Sequence, residues 1–157
     1  MTGLPNRRFF EEILEPDAQP IVDCETVGVI YIDLNKFKQV NDEQGHETGD
    51  AVLKIVSQRL KNAIRDTDIV CRIGGDEFVF LALNIATQRG LLGLAHKMYA
   101  TIALPIHYSG QTYQLGASMG IGLYPDDNPD IKALVKLADD RMYDAKKKGI
   151  CIAESPI

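Results

Sequence analysis

Two short apolar runs meet at a Gly-Gly-Asp turn, and this feature constrains the fold of the 157-residue chain more than any other. Segments 68–73 and 77–83 are rich in β-branched and aromatic residues. Gly74-Gly75 lies between them and can adopt the backbone angles of a tight hairpin turn. The pattern therefore predicts two neighbouring antiparallel strands, with Asp76 and Glu77 at the tip of the hairpin.

Strand and helix patterns alternate along the rest of the chain. Residues 27–32 form an apolar, β-branched run that predicts a buried strand ending at Asp33. The glycine-rich segment 116–122 indicates a strand packed closely against a neighbour. We also predict a first helix that starts at Pro5, is ended by Pro16 and Pro20, and has an apolar face of Phe9, Phe10, Ile13 and Leu14. A short helix and a turn are predicted within 35–49, and longer helices begin at Asp50, Thr87 and Ile131. A second hairpin is predicted from strands 108–113 and 115–124, and a last strand at 150–153. The order α-β-α-α-β-β-α-β-β-α-β predicts one α+β domain with helices packed on a mostly antiparallel sheet.

Charge and cysteine content exclude several classes of protein. The formal net charge is −5, which argues against non-specific binding to nucleic acid. The three cysteines are far apart and lack metal-ligand spacing, so we expect free thiols in a reducing compartment. No apolar run approaches the roughly 20 residues that span a membrane. We therefore expect a soluble, cytoplasmic domain, which leaves open a membrane anchor elsewhere in a longer parent protein.

Three carboxylates are the strongest candidates for chemistry. If strands 27–32 and 77–83 are neighbours, Asp33, Asp76 and Glu77 converge at one edge of the sheet. Clustered carboxylates repel one another, and a divalent cation with a preference for oxygen ligands, such as Mg²⁺, removes that cost. The adjacent glycines allow the backbone to approach a phosphate. This combination suits phosphoryl or nucleotidyl transfer.

The same residues also have simpler interpretations. Acidic residues at hairpin tips are commonly just solvated, and an Asp at the end of a strand often caps the next helix. A single histidine such as His46 is more often a turn residue than a ligand. Lysines at the end of a helix, as at 146–148, interact favourably with its dipole. Residue types alone leave both interpretations open.

Five ordered segments of the chain resemble the GGDEF family of diguanylate cyclases. RIGGDEF (72–78) contains the family signature, and 32–53 is similar to the second conserved block. Segments 2–10, 118–122 and 137–149 resemble the opening and later blocks, so the resemblance covers essentially the whole chain. It implies an α+β, palm-like sheet similar to that of adenylyl cyclases and polymerases.

The resemblance implies a role for each candidate residue. Asp33, the backbone carbonyl of Leu34 and Asp76 would hold Mg²⁺ or Mn²⁺. Asp76 would also deprotonate the attacking 3′-hydroxyl, and Glu77 would support the metal and phosphate region. The remaining substrate-binding residues are Asn41 and Asp50 on the guanine edge, His46 in the substrate site, Lys38 and Lys146 on the phosphates, and Gly74 and Gly75 along the triphosphate.

The implied reaction joins two GTP molecules into cyclic di-GMP across a homodimer, because each domain holds one GTP. The chain starts inside the opening block of the family. We therefore expect that 1–157 is a single GGDEF domain excised from a larger protein with an N-terminal sensor module. Whether a C-terminal phosphodiesterase domain follows stays open.

A second, inhibitory site is also implied by the resemblance. Arg65 and Asp68 fit the family's RxxD motif. Five residues separate Asp68 from the glycine pair, which is the spacing that the family has. Arg and Asp together can bind the phosphates and guanine of the product, cyclic di-GMP. The simpler interpretation is a charged loop before a strand.

Two positions depart from the family pattern. Asn35 stands where the family usually has a second Asp, and Ile150 stands where it usually has an Arg after the glycine that ends the last helix. Two hypotheses follow. One is an active diguanylate cyclase, which the intact segment 74–78 favours. The other is a catalytically weak or inactive GTP- or cyclic di-GMP-binding module that regulates a neighbouring domain, which Ile150 favours.

Overall fold

A twelve-element α+β domain is seen in the computed structural model, which describes residues 3–15, 21 and 24–153. The helices within these residues are α1 (Arg7–Ile13), α2 (Phe37–Gln44), α3 (His46–Ala63), α4 (Gln88–Ala103) and α5 (Ile131–Lys148). The strands are β1 (Val27–Asn35), β2 (Ile69–Gly74), β3 (Glu77–Leu83), β4 (Ile106–Tyr108), β5 (Gln111–Tyr113), β6 (Gly116–Tyr124) and β7 (Ile152–Ala153). None of the described helices combines the length and the hydropathy that crossing a bilayer requires.

The central sheet has the strand order β2-β3-β1-β6-β7. The pairs β2–β3, β1–β3 and β1–β6 are antiparallel, and β6–β7 is parallel. The predicted α+β class, the mostly antiparallel sheet and the hairpin at Gly74-Gly75 are therefore confirmed. In this register Asp33 at the end of β1 lies opposite Glu77 on one side and Ser118 on the other.

Both faces of the sheet are covered, which explains the continuous apolar run in β1. Ile30, Ile32 and Leu34 point toward α3 and α4 and belong to one buried cluster. Val29 and Tyr31 point the other way and pack with α1 and α5. Because side chains alternate along a strand, a strand buried on both faces has no polar position until its end. The first charged residue of β1 is therefore at the edge of the sheet, where the candidate site lies.

Helix α5 lies directly on β6, as the glycine-rich segment indicated. A Cβ atom at Gly120 would overlap the backbone carbonyl of Ala138 and the backbone nitrogen of Met142. The helix begins with Asp130, whose side chain accepts from the N–H of Lys132. It ends at Gly149, which has a left-handed φ of 70°. These contacts determine where the last turn of α5 sits relative to Asp33.

The structure corrects three predictions about element boundaries and pairing. The second hairpin is formed by β4 and β5, which reverse at Ser109-Gly110, and not by strands 108–113 and 115–124. Segment β6 pairs instead with β1 in the central sheet, where its apolar residues are buried on both faces. Helix α3 begins at His46 rather than Asp50, because Gly45 has a φ of 93° and breaks the chain direction there.

The first helix is confirmed, but its predicted apolar face is partly wrong. Phe10 and Ile13 are buried, whereas Phe9 is 40% exposed. The side chain of Asn6 caps the helix by accepting from the N–H of Phe9. Pro16 and Pro20, the predicted end of this helix, lie outside the described residues.

Candidate active site

Strand β1 and the β2–β3 turn bring Asp33 and Asp76 together. The backbone N–H of Leu34 donates to the carbonyl oxygen of Asp76 at 3.0 Å, which joins the end of β1 to the turn. Asp33 is only 6% exposed. The pKa of Asp76 is raised, first because the carboxyl is partly buried and then because the charge of Asp33 is close. Two acidic side chains thus share one poorly solvated position.

Lys146 offsets part of this negative charge. Its Nζ lies 2.7 Å from Oδ2 of Asp33 and donates a hydrogen bond to it. The hydrogen bond to Asp33 raises the pKa of Lys146. Because Lys146 is in the last turn of α5, the close packing of that helix on β6 determines where its ammonium lies.

The two carboxylates fit a divalent cation. Oδ1 of Asp33 is buried and has no hydrogen-bond partner among the described residues, which is costly for a carboxylate oxygen. A cation bound between Asp33 and Asp76 would satisfy that oxygen and relieve their repulsion. No group of three His, Cys, Asp or Glu side chains in the described part of the chain is placed to hold a metal. A cation here would therefore need further oxygen ligands, and the carbonyl of Leu34 remains the predicted one.

Glu77 lies beside the two aspartates but is held by a different partner. The hydroxyl of Tyr31 donates to its Oε1 at 3.2 Å. Burial and the nearby Asp33 raise the pKa of Glu77, whereas the hydrogen bond from Tyr31 lowers it. Glu77 lies directly opposite Asp33 in the strand register, so all three predicted carboxylates lie at the same end of the sheet, and Glu77 is hydrogen-bonded to Tyr31. Tyr31 was missed because it is embedded in an apolar run, although it lies two residues before Asp33 and hence on the same face.

The glycine turn is open, as its predicted role requires. Gly75 has a positive φ of 45°, and a Cβ at Gly74 or Gly75 would meet no atom within 4 Å. Nε of Arg72 donates to the carbonyl oxygen of Gly75 at 3.1 Å and so braces the turn. The backbone here is accessible to a ligand.

The residues predicted to bind guanine lie on the helix pair that follows β1. Asn41 is half-buried on α2, and its Oδ1 lies where a Cβ at Gly49 would be. Gly49 is buried in α3, so its lack of a side chain leaves room for Asn41. His46 and Asp50 are exposed in the first turns of α3, and Lys38 is exposed on α2.

A cavity of about 490 Å³ lies between the ends of β1, β6 and α5. Lys146 and Ile150 both line it, so the position that departs from the family pattern shares a cavity with the lysine that contacts Asp33. Ile150 is 39% exposed. Lys36 also lines this cavity, whereas Lys38 does not. Lys36 is not among the predicted site residues, and the signal for it in the sequence is its position between the end of β1 and the start of α2.

The predicted inhibitory pair forms a closed network. Arg65 donates from Nε and Nη2 to the two carboxylate oxygens of Asp68, at 3.0 and 2.9 Å. Nη2 also donates to the carbonyl oxygen of Leu83, whose N–H donates to Asp68. The side chain of Arg65 is 54% exposed, but that of Asp68 is 1% exposed. A ligand could therefore contact Arg65 directly, while Asp68 holds Arg65 and the end of β3 in place.

Comparison with known proteins finds one family model and several relatives that match almost the whole chain. A family model described as "Diguanylate cyclase, GGDEF domain" matches residues 1–150. The chain is 37% identical over 151 residues to the diguanylate cyclase TpbB of Pseudomonas aeruginosa (strain UCBPP-PA14), covering 95% of this chain and 35% of TpbB. It is 36% identical over 153 residues to the cyclic di-GMP phosphodiesterase NbdA of Pseudomonas aeruginosa (strain PAO1), covering 95% of this chain and 19% of NbdA. The chain thus spans about a third or less of these two relatives.

A solved structure of similar shape is the GGDEF domain of PA1120 (YfiN or TpbB) from Pseudomonas aeruginosa. Its TM-score is 0.86 at 35% identity, and the match covers 99% of this chain and all of the other. A sensory box/GGDEF family protein from Caulobacter crescentus CB15 has a TM-score of 0.83 at 36% identity, with 94% and 96% of the two chains covered.

Proposed function

The chain belongs to the GGDEF family of diguanylate cyclase domains, and on that basis we propose that it joins two GTP molecules into cyclic di-GMP. The observation that carries the proposal is that the end of β1, which bears the buried Asp33, is hydrogen-bonded to the backbone of Asp76 beside an open Gly-Gly turn. A buried and a half-buried carboxylate next to accessible backbone suit a site that accepts a cation and a phosphate chain together.

The reaction transfers a nucleotidyl group twice. The 3′-oxygen of one GTP forms a bond to the α-phosphorus of the other, the bond between the α- and β-phosphates breaks, and pyrophosphate leaves. Asp76 accepts the proton of the attacking 3′-hydroxyl. Each domain holds one GTP, so two copies of the chain must meet face to face, and catalysis depends mainly on positioning and charge neutralisation.

Asp33, Asp76 and the carbonyl of Leu34 are the ligands we assign to Mg²⁺ or Mn²⁺, which neutralises charge on the phosphates when it is bound. Glu77 supports this region, and its hydrogen bond from Tyr31 limits its freedom to rotate. Lys146 reorients from Asp33 toward the phosphates when the substrate is present.

Substrate recognition is assigned to the α2–α3 pair and to the glycine turn. The carboxylate of Asp50 accepts from guanine N1–H and N2–H₂, and the amide of Asn41 faces the guanine edge. His46 lies near the same ligand, Lys38 contributes positive charge, and Gly74 and Gly75 let the triphosphate lie against backbone. The exposure of His46 and Asp50 supports this assignment, because both are accessible to a ligand.

Product inhibition at Arg65 is part of the proposal. Its half-exposed guanidinium borders a cavity of about 430 Å³ that Asp66 and Asp68 also line. A phosphate or guanine of cyclic di-GMP would bind Arg65 there.

We further propose that the domain works in the cytoplasm within a longer protein that carries a sensor module, since the relatives are several times longer than this chain.

The second candidate function is a nucleotide-binding module with little or no activity that controls a neighbouring domain. Ile150 favours it, because an apolar side chain occupies the cavity where the family usually has an Arg. The intact turn and the paired aspartates favour the cyclase.

A direct test is to incubate the protein with GTP and Mg²⁺, separate the products by chromatography, and repeat the assay with Asp76→Ala. The wild type should form cyclic di-GMP, and the variant should form none while keeping its melting temperature, because Asp76 lies in a turn outside the core. Near wild-type turnover by Asp76→Ala would disprove the role given to this residue.

A further inference from the structure

Lys36 connects β1 to α2 in an unusual backbone conformation. Its φ and ψ are 72° and −2°, in the left-handed region. A residue with a Cβ atom costs about 1–2 kcal/mol there, and Gly or Asn is more common. Among the described residues, the other non-glycine residues with positive φ are Asn84 and Ser109, and Ser109 lies in the β4–β5 turn. A strained lysine at the edge of a candidate site suggests that its side chain has a function there.

The cavity that Lys36 lines has basic but no acidic side chains among its described lining residues. Its described lining residues include Lys36 and Lys146 but no Asp or Glu, although the whole chain has a net charge of −5. Lys146 already donates to Asp33. Lys36 takes part in none of the ion pairs of the described residues, so its ammonium is available to an anion.

Lys147 and Lys38 are less suitable than Lys36 for binding an anion in this cavity. Nζ of Lys147 lies 5.6 Å from the ring centre of Tyr143, on the outer side of the helix. Lys38 is exposed on α2 and does not line the cavity. Of the lysines considered, Lys36 is therefore the one that faces Ile150 and Lys146 across a common space.

We propose that Lys36 binds the phosphates of the nucleotide in this cavity and supplies the positive charge that Ile150 does not. The inference rests on the proposed function, since it names a binding residue of the same site. It assigns to the connection between β1 and α2 a positive charge that the family usually carries at position 150.

The test uses Lys36→Asn, because Asn tolerates the left-handed backbone and removes the ammonium group without adding backbone strain. Binding of 3′-deoxyGTP with Mg²⁺ is measured by calorimetry, since this analogue keeps the triphosphate but lacks the attacking hydroxyl. Lys36→Asn should bind about tenfold more weakly than the wild type, the scale of a charged hydrogen bond. Lys36→Arg should bind within about threefold of the wild type, since the charge is kept.

Lys136→Gln is the matched control. It removes a surface lysine on α5 that lies ten residues, or about 15 Å, before Lys146. This variant should bind like the wild type, and all the variants should keep the wild-type melting temperature within a few degrees. Equal affinity of Lys36→Asn and the wild type would overturn the role of Lys36 alone. Failure of the wild type to bind 3′-deoxyGTP would overturn the proposed function and this inference together.

A double-mutant cycle with Ile150→Arg tests whether the two positions serve the same phosphates. If Lys36 stands in for the absent Arg, Ile150→Arg should improve binding more in the Lys36→Asn background than in the wild type. Equal improvement in both backgrounds would show that the two positions act independently. That result would contradict the proposal that Lys36 takes over the role of the absent Arg.

Discussion

Nζ of Lys146 lies 2.7 Å from Oδ2 of Asp33, so a lysine from the last turn of α5 meets the carboxylate that ends the central strand β1. The carboxylate is nearly buried, while the lysine side chain is 51% exposed. Oδ2 of Asp33 is thus paired with a half-exposed lysine that can move away at little cost. Oδ1 of Asp33 has no hydrogen-bond partner among the described residues. This arrangement suits a site in which a cation and a phosphate chain take over these contacts.

Lys146→Gln should destabilise the protein by about 1–2 kcal/mol when divalent ions are removed, because Asp33 is then left without a charged partner. Urea unfolding in the presence of EDTA measures the difference in the free energy of unfolding between the variant and the wild type, and adding Mg²⁺ should make that difference smaller. Lys136→Gln, which breaks an exposed pair with Asp140, should change stability by less than about 0.5 kcal/mol. Equal stability of Lys146→Gln and the wild type in EDTA would contradict this account.

The Arg65–Asp68 network should separate into a binding role and a structural role. Arg65→Ala should weaken cyclic di-GMP binding by at least about 1.5 kcal/mol, the scale of a charged hydrogen bond, as measured by titration calorimetry. Unchanged affinity in this variant would remove the inhibitory site from the account.

Asp68→Ala should instead lower the free energy of unfolding by about 1–3 kcal/mol, because the N–H of Leu83 and the guanidinium of Arg65 both lose their buried acceptor. Asp66→Ala is the control, since Asp66 is an exposed neighbour in the same loop and should unfold like the wild type. A loss of stability of the same size in both variants would mean that burial of Asp68 is not the cause.

Ile150→Arg should lower KM for GTP by roughly ten- to a hundredfold and leave kcat within a few-fold. Ile150 lines the cavity with Lys146, while Asp76 lies at the β2–β3 turn, so the added charge acts on binding more than on chemistry. Steady-state kinetics of both proteins provides the test. A variant whose KM is unchanged would show that this cavity does not hold the phosphates.

The cysteines should differ sharply in reactivity. Burial raises the pKa of the Cys71 thiol to about 12, whereas Cys151 is exposed. At pH 8 only about one Cys71 in ten thousand is a thiolate, so a thiol reagent should modify Cys151 quickly and Cys71 only on unfolding. Mass spectrometry of peptides after brief labelling distinguishes the two. Rapid labelling of Cys71 in the native protein would contradict its burial in the apolar cluster beneath α1.

The pKa of Cys71 also predicts how stability varies with pH. The unfolded thiol loses its proton near pH 9 and the folded one near pH 12. Between these values the unfolded chain binds fewer protons, so this group lowers the stability of the fold as pH rises above about 9. Cys71→Ala should weaken that trend, although the lost methyl-sized volume also lowers overall stability.

Features that depend on local pattern were predictable from the sequence. The β2–β3 hairpin and α5 follow from a glycine turn and from helical spacing, and the register of that hairpin with β1 puts Asp33 opposite Glu77. The second hairpin was misassigned, because its turn at Ser109-Gly110 carries a non-glycine residue with positive φ that composition does not reveal. The start of α3 was placed four residues late, because residues 46–49 have no apolar side chain that would indicate the first turn of that helix.

Contacts between distant elements were not predictable from the residues. The hydrogen bond from Tyr31 to Glu77 joins two neighbouring strands, and a tyrosine in an apolar run reads as core. The place of Lys36 in the cavity depends on how β1, β6 and α5 pack together. The burial of Asp68 likewise depends on its hydrogen bond from the N–H of Leu83, fifteen residues away.

The central claim, cyclase chemistry at Asp33 and Asp76, is tested most directly by the stoichiometry of products formed from GTP and Mg²⁺. Phosphorus NMR of the reaction should show two pyrophosphates for each cyclic di-GMP. The initial rate per protein molecule should rise with protein concentration, because two domains must meet, and Asp76→Ala should form neither product. Release of inorganic phosphate and GDP in place of pyrophosphate, or a GTP signal that stays unchanged while the protein binds the nucleotide, would contradict the account.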